Sequence, residues 1–242
     1  MCTVVLLKRS QHPWPVMVAA NRDELLNRPW NLPAAWWPDR PGVVAGRDRL
    51  GGGTWMGLNR HRVMAVVLNR RGSLGPAPDK RSRGDLPLMA LEHRSAEAAA
   101  SAITELDAGA WCGFNLVVAD STGAAFWLRG LGGGHPEKMP LADGLHVVTS
   151  SDPNDMTRER VARYLPRFRS APPPETDDYA AWRALITDRS GAGEEQLHIA
   201  PRHGYGTVCS SLLGLAQQEA PVWLFTASCD AASFERVDLS AR

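Results

Sequence analysis

Lysine is almost missing from this chain of 242 residues: it occurs only at Lys8, Lys80 and Lys138, and arginine makes up the rest of the 27 basic residues. With abundant Ala, Gly and Pro, that bias suggests a GC-rich bacterial gene rather than a function. An excess of one charge sign is lacking too. The basic residues face 26 acidic ones, for a formal net charge of +1, and aromatics do not interleave with the basic run, so no nucleic-acid partner is expected. Cysteine is sparse and scattered, at Cys2, Cys112, Cys209 and Cys229, with no Cys-x-x-Cys pair. This argues against a zinc site or a disulfide framework, predicts no metal, and makes reduced thiols in a cytoplasm the default. No apolar run reaches about 18 residues, so no membrane span is expected. Lys8 and Arg9 follow the first apolar run instead of preceding it, the wrong order for a secretory signal. The triplet Gly51-Gly52-Gly53 lacks the Gly-Lys-Ser/Thr that a phosphate loop requires. A soluble cytoplasmic protein with no required cofactor is the expectation.

What is present is an ordinary globular mixture, 44% hydrophobic and 22% charged, and one domain over residues 1–242 fits that length. Apolar runs at residues 4–7 and 16–20, joined through Pro13 and Pro15, read as a hairpin. Residues 30–38, rich in proline and tryptophan, read as an ordered loop, because proline breaks helix and central strand alike. Its tryptophans fill a core or line a pocket. The glycine triplet turns into a strand carrying Trp55, and residues 62–69 form the next, a fourth strand apolar on both faces. Residues 70–84 are a basic loop, either a solvated surface or an anion-binding rim of guanidinium groups. Helices are expected at 85–93 and at 95–106, the second capped by Ser95. Strands follow at 113–119, 124–128 and 145–149, then helices at 155–168 and from about Asp177 to 187, then strands at 206–215, 221–226 and 234–237. Pairs of helices set between antiparallel meanders argue for an α+β fold in which two stacked antiparallel sheets are each covered by a helix pair.

Chemistry concentrates at the start. Cys2 sits behind the initiator methionine, and the second strand of the hairpin ends in Asn21-Arg22-Asp23-Glu24. Removal of Met1 would leave Cys2 with both a thiol and a free α-amine, whose ordinary pKa of about 7.7–8.0 suits a general base. Asp23 would hold the ammonium that forms, and Arg22 could lower the thiol pKa. Asn69 could donate to an oxyanion. The bland alternative is a buried cysteine at a strand start and a polar turn.

These residues resemble a family. Met1-Cys2 with Ala19-Ala20-Asn21-Arg22-Asp23-Glu24 matches the signature of the NRDE family, the homologues of transport and Golgi organisation protein 2. The resemblance continues through Arg28-Pro29, Gly52-Gly53-Thr54-Trp55-Met56-Gly57, Asn69, Arg81-Ser82-Arg83-Gly84-Asp85-Leu86, Gly113-Phe114-Asn115-Leu116-Val117-Val118-Ala119-Asp120 and Tyr205-Gly206-Thr207. It implies a four-layer αββα sandwich of two antiparallel sheets, like the N-terminal-nucleophile (Ntn) hydrolases, similar to choloylglycine hydrolases and penicillin V acylase. The resemblance carries the catalytic role to Cys2, Asp23 and Asn69; Arg22, by its charge, and Ser150, as a hydroxyl donor, join them as catalytic candidates, and Asn21, Glu24, Trp55, Arg83 and Asn115 are the substrate-binding ones. Two positions depart from the pattern. Thr149-Ser150-Ser151 stands where relatives close the oxyanion hole with a side-chain amide, and Val208-Cys209 stands where members often carry an arginine after Tyr-Gly-Thr.

Two functions follow as expectations. One is a cysteine amidohydrolase cleaving a non-peptide C–N bond of a small acylated substrate. The other is a carrier on the same fold that binds haem or an acyl-coenzyme A, with the tryptophan-rich and basic loops receiving an apolar body with anionic groups. His203 reads as a loop residue.

Overall fold

A computed structural model describes residues 2–240 apart from 74, 76, 176 and 177. The chain forms two compact units, residues 1–27 with 143–237 and residues 28–142 with 238–242. Each unit is one antiparallel sheet with its own pair of helices, so the expected α+β class holds.

The first unit is built on β1 (Thr3–Lys8) and β2 (Val16–Leu25). They pair antiparallel with Thr3 opposite Asn21, so the hairpin brings the chain start alongside the polar quartet. β10 (Gly144–Val148) lies on the other edge of β1, while β11 (Tyr205–Leu215), β12 (Val222–Thr226) and β13 (Glu235–Arg236) continue outward from β2. Residues on both faces of β1 and β2 are buried, which fits their unbroken apolar runs. One face carries α3 (Glu159–Ser170) and α4 (Ala180–Ile186). Val161, Tyr164, Leu165 and Phe168 recur at helical spacing and pack with Trp182 and Ile186 onto Val5, Met17, Ala19 and Val147. Phe168 and Trp182 meet edge to face, 5.1 Å between ring centres.

In the second unit β3 (Trp30–Ala34), β4 (Val43–Asp48), β5 (Met56–Asn59), β6 (Val63–Asn69), β7 (Phe114–Asp120), β8 (Ala125–Gly130) and β9 (Glu137–Pro140) form one sheet in chain order. α1 (Asp85–Ala90) and α2 (Ala96–Thr104) cover one face of it. Ser95 caps α2 as expected, accepting from the Ala98 N–H at 3.2 Å, and the Asp120 carboxylate accepts from the Ala96 N–H at 2.7 Å.

Four expectations change. The proline- and tryptophan-rich segment contains a strand, β3, rather than only a loop. Pro33 is tolerated because β3 lies on the sheet edge, where its pairing with β4 is already irregular between Asn31 and Ala34. Strands β4 and β9 were not anticipated either, and with β3 and β4 ahead of it Asn69 ends the sixth strand and not the fourth. Helix α3 starts at Glu159 instead of 155, because the Asp155 carboxylate accepts from the Thr157 N–H and hydroxyl and closes a turn first. Helix α4 starts at Ala180, and the expected start at Asp177 lies outside the described residues.

The glycine triplet has a packing reason. A Cβ on Gly53 would lie 2.4 Å from the Gly84 carbonyl carbon, and the Thr54 N–H donates to the Gly84 oxygen at 3.0 Å. Two backbones meet where only glycine fits. Gly53→Ala is therefore expected to destabilise the second unit by about 1–3 kcal/mol, read as a lower urea midpoint, while Leu32→Ala, at an exposed position, changes little.

Candidate functional site

The end of β2 delivers its polar groups to the chain start. The Asp23 N–H points at the Cys2 sulfur at 3.4 Å, and the sulfur lies 3.7 Å from the Asp23 carbonyl oxygen, close enough for the thiol to donate. The Asp23 carboxylate is buried and both its oxygens are held. Thr207 Oγ1 donates to Oδ1 at 2.6 Å, and Arg160 Nη1 reaches Oδ2 at 3.1 Å. The same Arg160 nitrogen donates to Thr3 Oγ1 at 2.8 Å, beside Cys2 in the chain. Tyr205 donates its hydroxyl to the Asp23 carbonyl oxygen at 3.2 Å. Arg160, Asp23 and Arg22 are each only 5% exposed, so this is a charged cluster taken out of water.

Arg160 was not anticipated from sequence. A signal was there: it stands four residues before Tyr164 and eight before Phe168, a cation on the stripe that α3 buries. Thr207 and Tyr205 belong to the Tyr-Gly-Thr motif but were given no role. They reach Asp23 because β11 carries a bulge between Thr207 and Cys209, with Val208 as the extra residue.

Ser150 is also in this unit. The β1–β10 register sets Val4 opposite Val148 and carries Ser150 toward Cys2. Asn154, with a left-handed φ of 58°, ties the turn back to β10: its Oδ1 accepts from the Val147 N–H and its Nδ2 donates to the Leu145 oxygen. Ser150 is 2% exposed, and its hydroxyl finds no hydrogen-bond partner among the described residues. Asn21 works inward. Its amide nitrogen donates to the Ile186 and Leu197 oxygens, and its Oδ1 accepts from Ser210 Oγ at 2.6 Å, which pins β2 to the end of α4. Glu24 accepts from the Leu25 N–H at 2.8 Å.

The other candidates lie in the second unit. Asn69 ends β6, half-buried. Asn115 is fully buried on β7, its Oδ1 accepting from Arg70 Nη1 at 2.6 Å and Trp127 Nε1 at 3.2 Å. Trp55 packs edge to face with Trp30 and covers Gly46, where a Cβ would lie 2.3 Å from its ring. Arg83 donates to the backbone oxygens of Gly113 and Ser73, so its guanidinium fastens two loops together.

Comparison with known proteins adds family and fold. The family model described as "Transport and Golgi organisation 2" matches residues 1–224. The chain belongs to that family. A curated member of the Transport and Golgi organisation 2 family, the mouse homolog, is 29% identical over 150 residues, 59% of this chain and 52% of its own length. The match therefore spans about half the length of that relative. A Caenorhabditis elegans ortholog of N-acylethanolamine-hydrolyzing acid amidase superposes with a TM-score of 0.61 at 13% identity, covering 90% of this chain and 98% of that one. The C2A mutant of the conjugated bile acid hydrolase from Clostridium perfringens superposes with a TM-score of 0.59 at 10% identity, over 98% and 92%. The fold of this member of the Transport and Golgi organisation 2 family is thus Ntn-hydrolase-like, as the sequence led us to expect. Among the described residues no helix is long and apolar enough to cross a membrane, and no group of three or more His, Cys, Asp or Glu could hold a metal ion.

Burial, and after it the Asp23 carboxylate, push the Cys2 thiol above its ordinary range, although Arg22 pulls the other way. A raised value means less thiolate at neutral pH than a free cysteine has. Alkylation of Cys2 by iodoacetamide is therefore expected to be slow at pH 7 and to keep climbing past about pH 8.5, the ordinary cysteine value. Peptide-mapped mass spectrometry of the Cys2 adduct reads the midpoint; a midpoint below the ordinary value would contradict this geometry.

Proposed function

We propose that this protein is a cysteine amidohydrolase in which Cys2 attacks the carbonyl of a small N-acyl amide. The observation that carries the reading is the Cys2 sulfur set against the Asp23 N–H, with the Asp23 carboxylate fixed at both oxygens. A thiol pushed up by burial is a poor nucleophile alone and needs a base at hand. In this reading the base is the α-amine of Cys2, exposed by removal of Met1, which lies outside the described residues.

The thiol gives its proton to the amine, and the sulfur attacks the amide carbonyl. The carbonyl oxygen gains the negative charge, and the Ser150 hydroxyl, buried and without a partner among the described residues, is the donor offered to it. As the tetrahedral intermediate collapses the C–N bond breaks, and the ammonium returns the proton to the leaving amine. Water then cleaves the thioester, again deprotonated by the α-amine, giving a carboxylic acid and the free thiol. The ionised Asp23 stabilises the transient ammonium. The two solved proteins of like fold are named as an amidase and a hydrolase, which supports the reaction class and leaves the acyl group open. No observation of its own favours a carrier of haem or acyl-coenzyme A.

The test combines intact mass with turnover of a panel of N-acyl amides. Natively expressed protein is expected to lack Met1 and to form a hydroxylamine-sensitive acyl adduct on Cys2. Cys2→Ala should abolish both adduct and turnover, and Ser150→Ala should lower turnover about 10²–10³-fold. Retained Met1, or turnover that survives Cys2→Ala, would refute the mechanism.

A further inference from the structure

Arg160 is in an unfavourable place for a cation. It is the second residue of α3, at the end of the helix where the backbone dipole is positive and disfavours a positive side chain. It is also 5% exposed, so water does little to compensate it. Core packing does not call for a guanidinium, since a methionine fills the same space without the charge. What holds Arg160 there is a bridge: one nitrogen, Nη1, touches both Thr3 Oγ1 and Asp23 Oδ2. Thr3 is covalently next to Cys2, and Asp23 offers its N–H to the Cys2 sulfur. The helix thus reaches the nucleophile from two sides through one atom.

We infer that Arg160 is a positioning residue of the Cys2 site: by joining Thr3 to Asp23 and bringing its charge to that carboxylate, it acts on the ionisation of the thiol. With Arg22 it offsets the action of the Asp23 carboxylate on the neighbouring sulfur, and it fixes β1, which Cys2 immediately precedes, against the strand carrying Asp23. The other charged or titratable groups near Cys2 among the described residues are Arg22 and Asp23 on β2 and Tyr205 and Cys209 on β11, while His198 faces Asp23 from the segment before β11. Arg160 is the one among them that joins Asp23 to the residue following Cys2. The inference deepens the nucleophile reading and rests on it, yet its measurement needs no substrate.

The experiment follows iodoacetamide labelling of Cys2 against pH in the full-length protein, with thermal unfolding alongside. Arg160→Gln keeps a donor for Thr3 and Asp23 but removes the charge. Its labelling midpoint is expected to rise by about one pH unit, equivalent to about a tenfold slower reaction at any pH below the midpoint. Arg160→Lys, which restores the charge, should return the rate to within about twofold of wild type. A purely structural arginine would lower the melting temperature in both variants without moving the midpoint, and that outcome overturns the inference, as does a midpoint that falls. Should Arg160→Gln not fold, Thr3→Val detaches Arg160 from β1 with little change of shape, and labelling at pH 8 should slow by at least about threefold. An unchanged rate there refutes the inference equally. Loss of the acyl adduct with the midpoint shift intact would instead count against the hydrolase reading alone.

Discussion

A carboxylate buried out of water must be hydrogen-bonded and paired, or it gives up its charge. Asp23 meets that demand with three elements that are far apart in sequence. β11 supplies Thr207, α3 supplies Arg160, and β2 supplies the aspartate itself, with its own N–H turned to the Cys2 sulfur. Thr207 is in turn anchored, since its backbone N–H donates to the Ile199 oxygen and its hydroxyl accepts from the Ile199 N–H. Arg160 ties in β1 through Thr3. Satisfying one charge therefore fixes the mutual placement of three strands, a helix and a loop, and the sulfur is held by the same arrangement.

Two side chains on the same face of β2 divide the work. Asn21 uses its amide to hold α4 and the following segment, while the Asp23 carboxylate holds Arg160 of α3 and its own N–H meets the Cys2 sulfur. The second unit repeats the device with other residues. Asn59 donates to the Leu91 and His93 oxygens at the end of α1 and accepts from two N–H groups of its own turn, so one amide seats a helix on a hairpin. Asp120 does the same for α2. Polar side chains at strand ends, not loop sequence, decide where each helix sits.

Local pattern made much of this legible. The opening hairpin, the capped helix at Ser95, the pairing of helices between meanders and the family motifs all rest on short-range signals that survive folding. Three strands were harder to see: β3, on the sheet edge, contains proline, β9, on the other edge, has only four residues, and β4 beside β3 lacks, like them, the alternation that marks a half-buried strand. The site was legible where it depends on chain position, as Cys2 and Asp23 do. It was not where it depends on long-range pairing. Nothing near Arg160 in sequence says that it will meet a carboxylate 137 residues away, and Val208 gave no warning that the ladder breaks beside it. Arg83 shows the converse. A basic loop suggests an anion rim, yet its guanidinium is spent on backbone oxygens, because loop carbonyls without strand partners need donors too.

The bulge at Val208 amounts to a one-letter insertion in the strand's count. Cys209 lies opposite Arg22 and Thr207 opposite Asp23. In an unbroken ladder the residue next to Cys209 would be the one facing Asp23, and that residue is valine. The surplus position thus exchanges a methyl for a hydroxyl at the carboxylate. Homologues with the same motif but no such insertion would present different chemistry to their aspartate, so alignment columns through this strand carry meaning only once the parity of each chain is known.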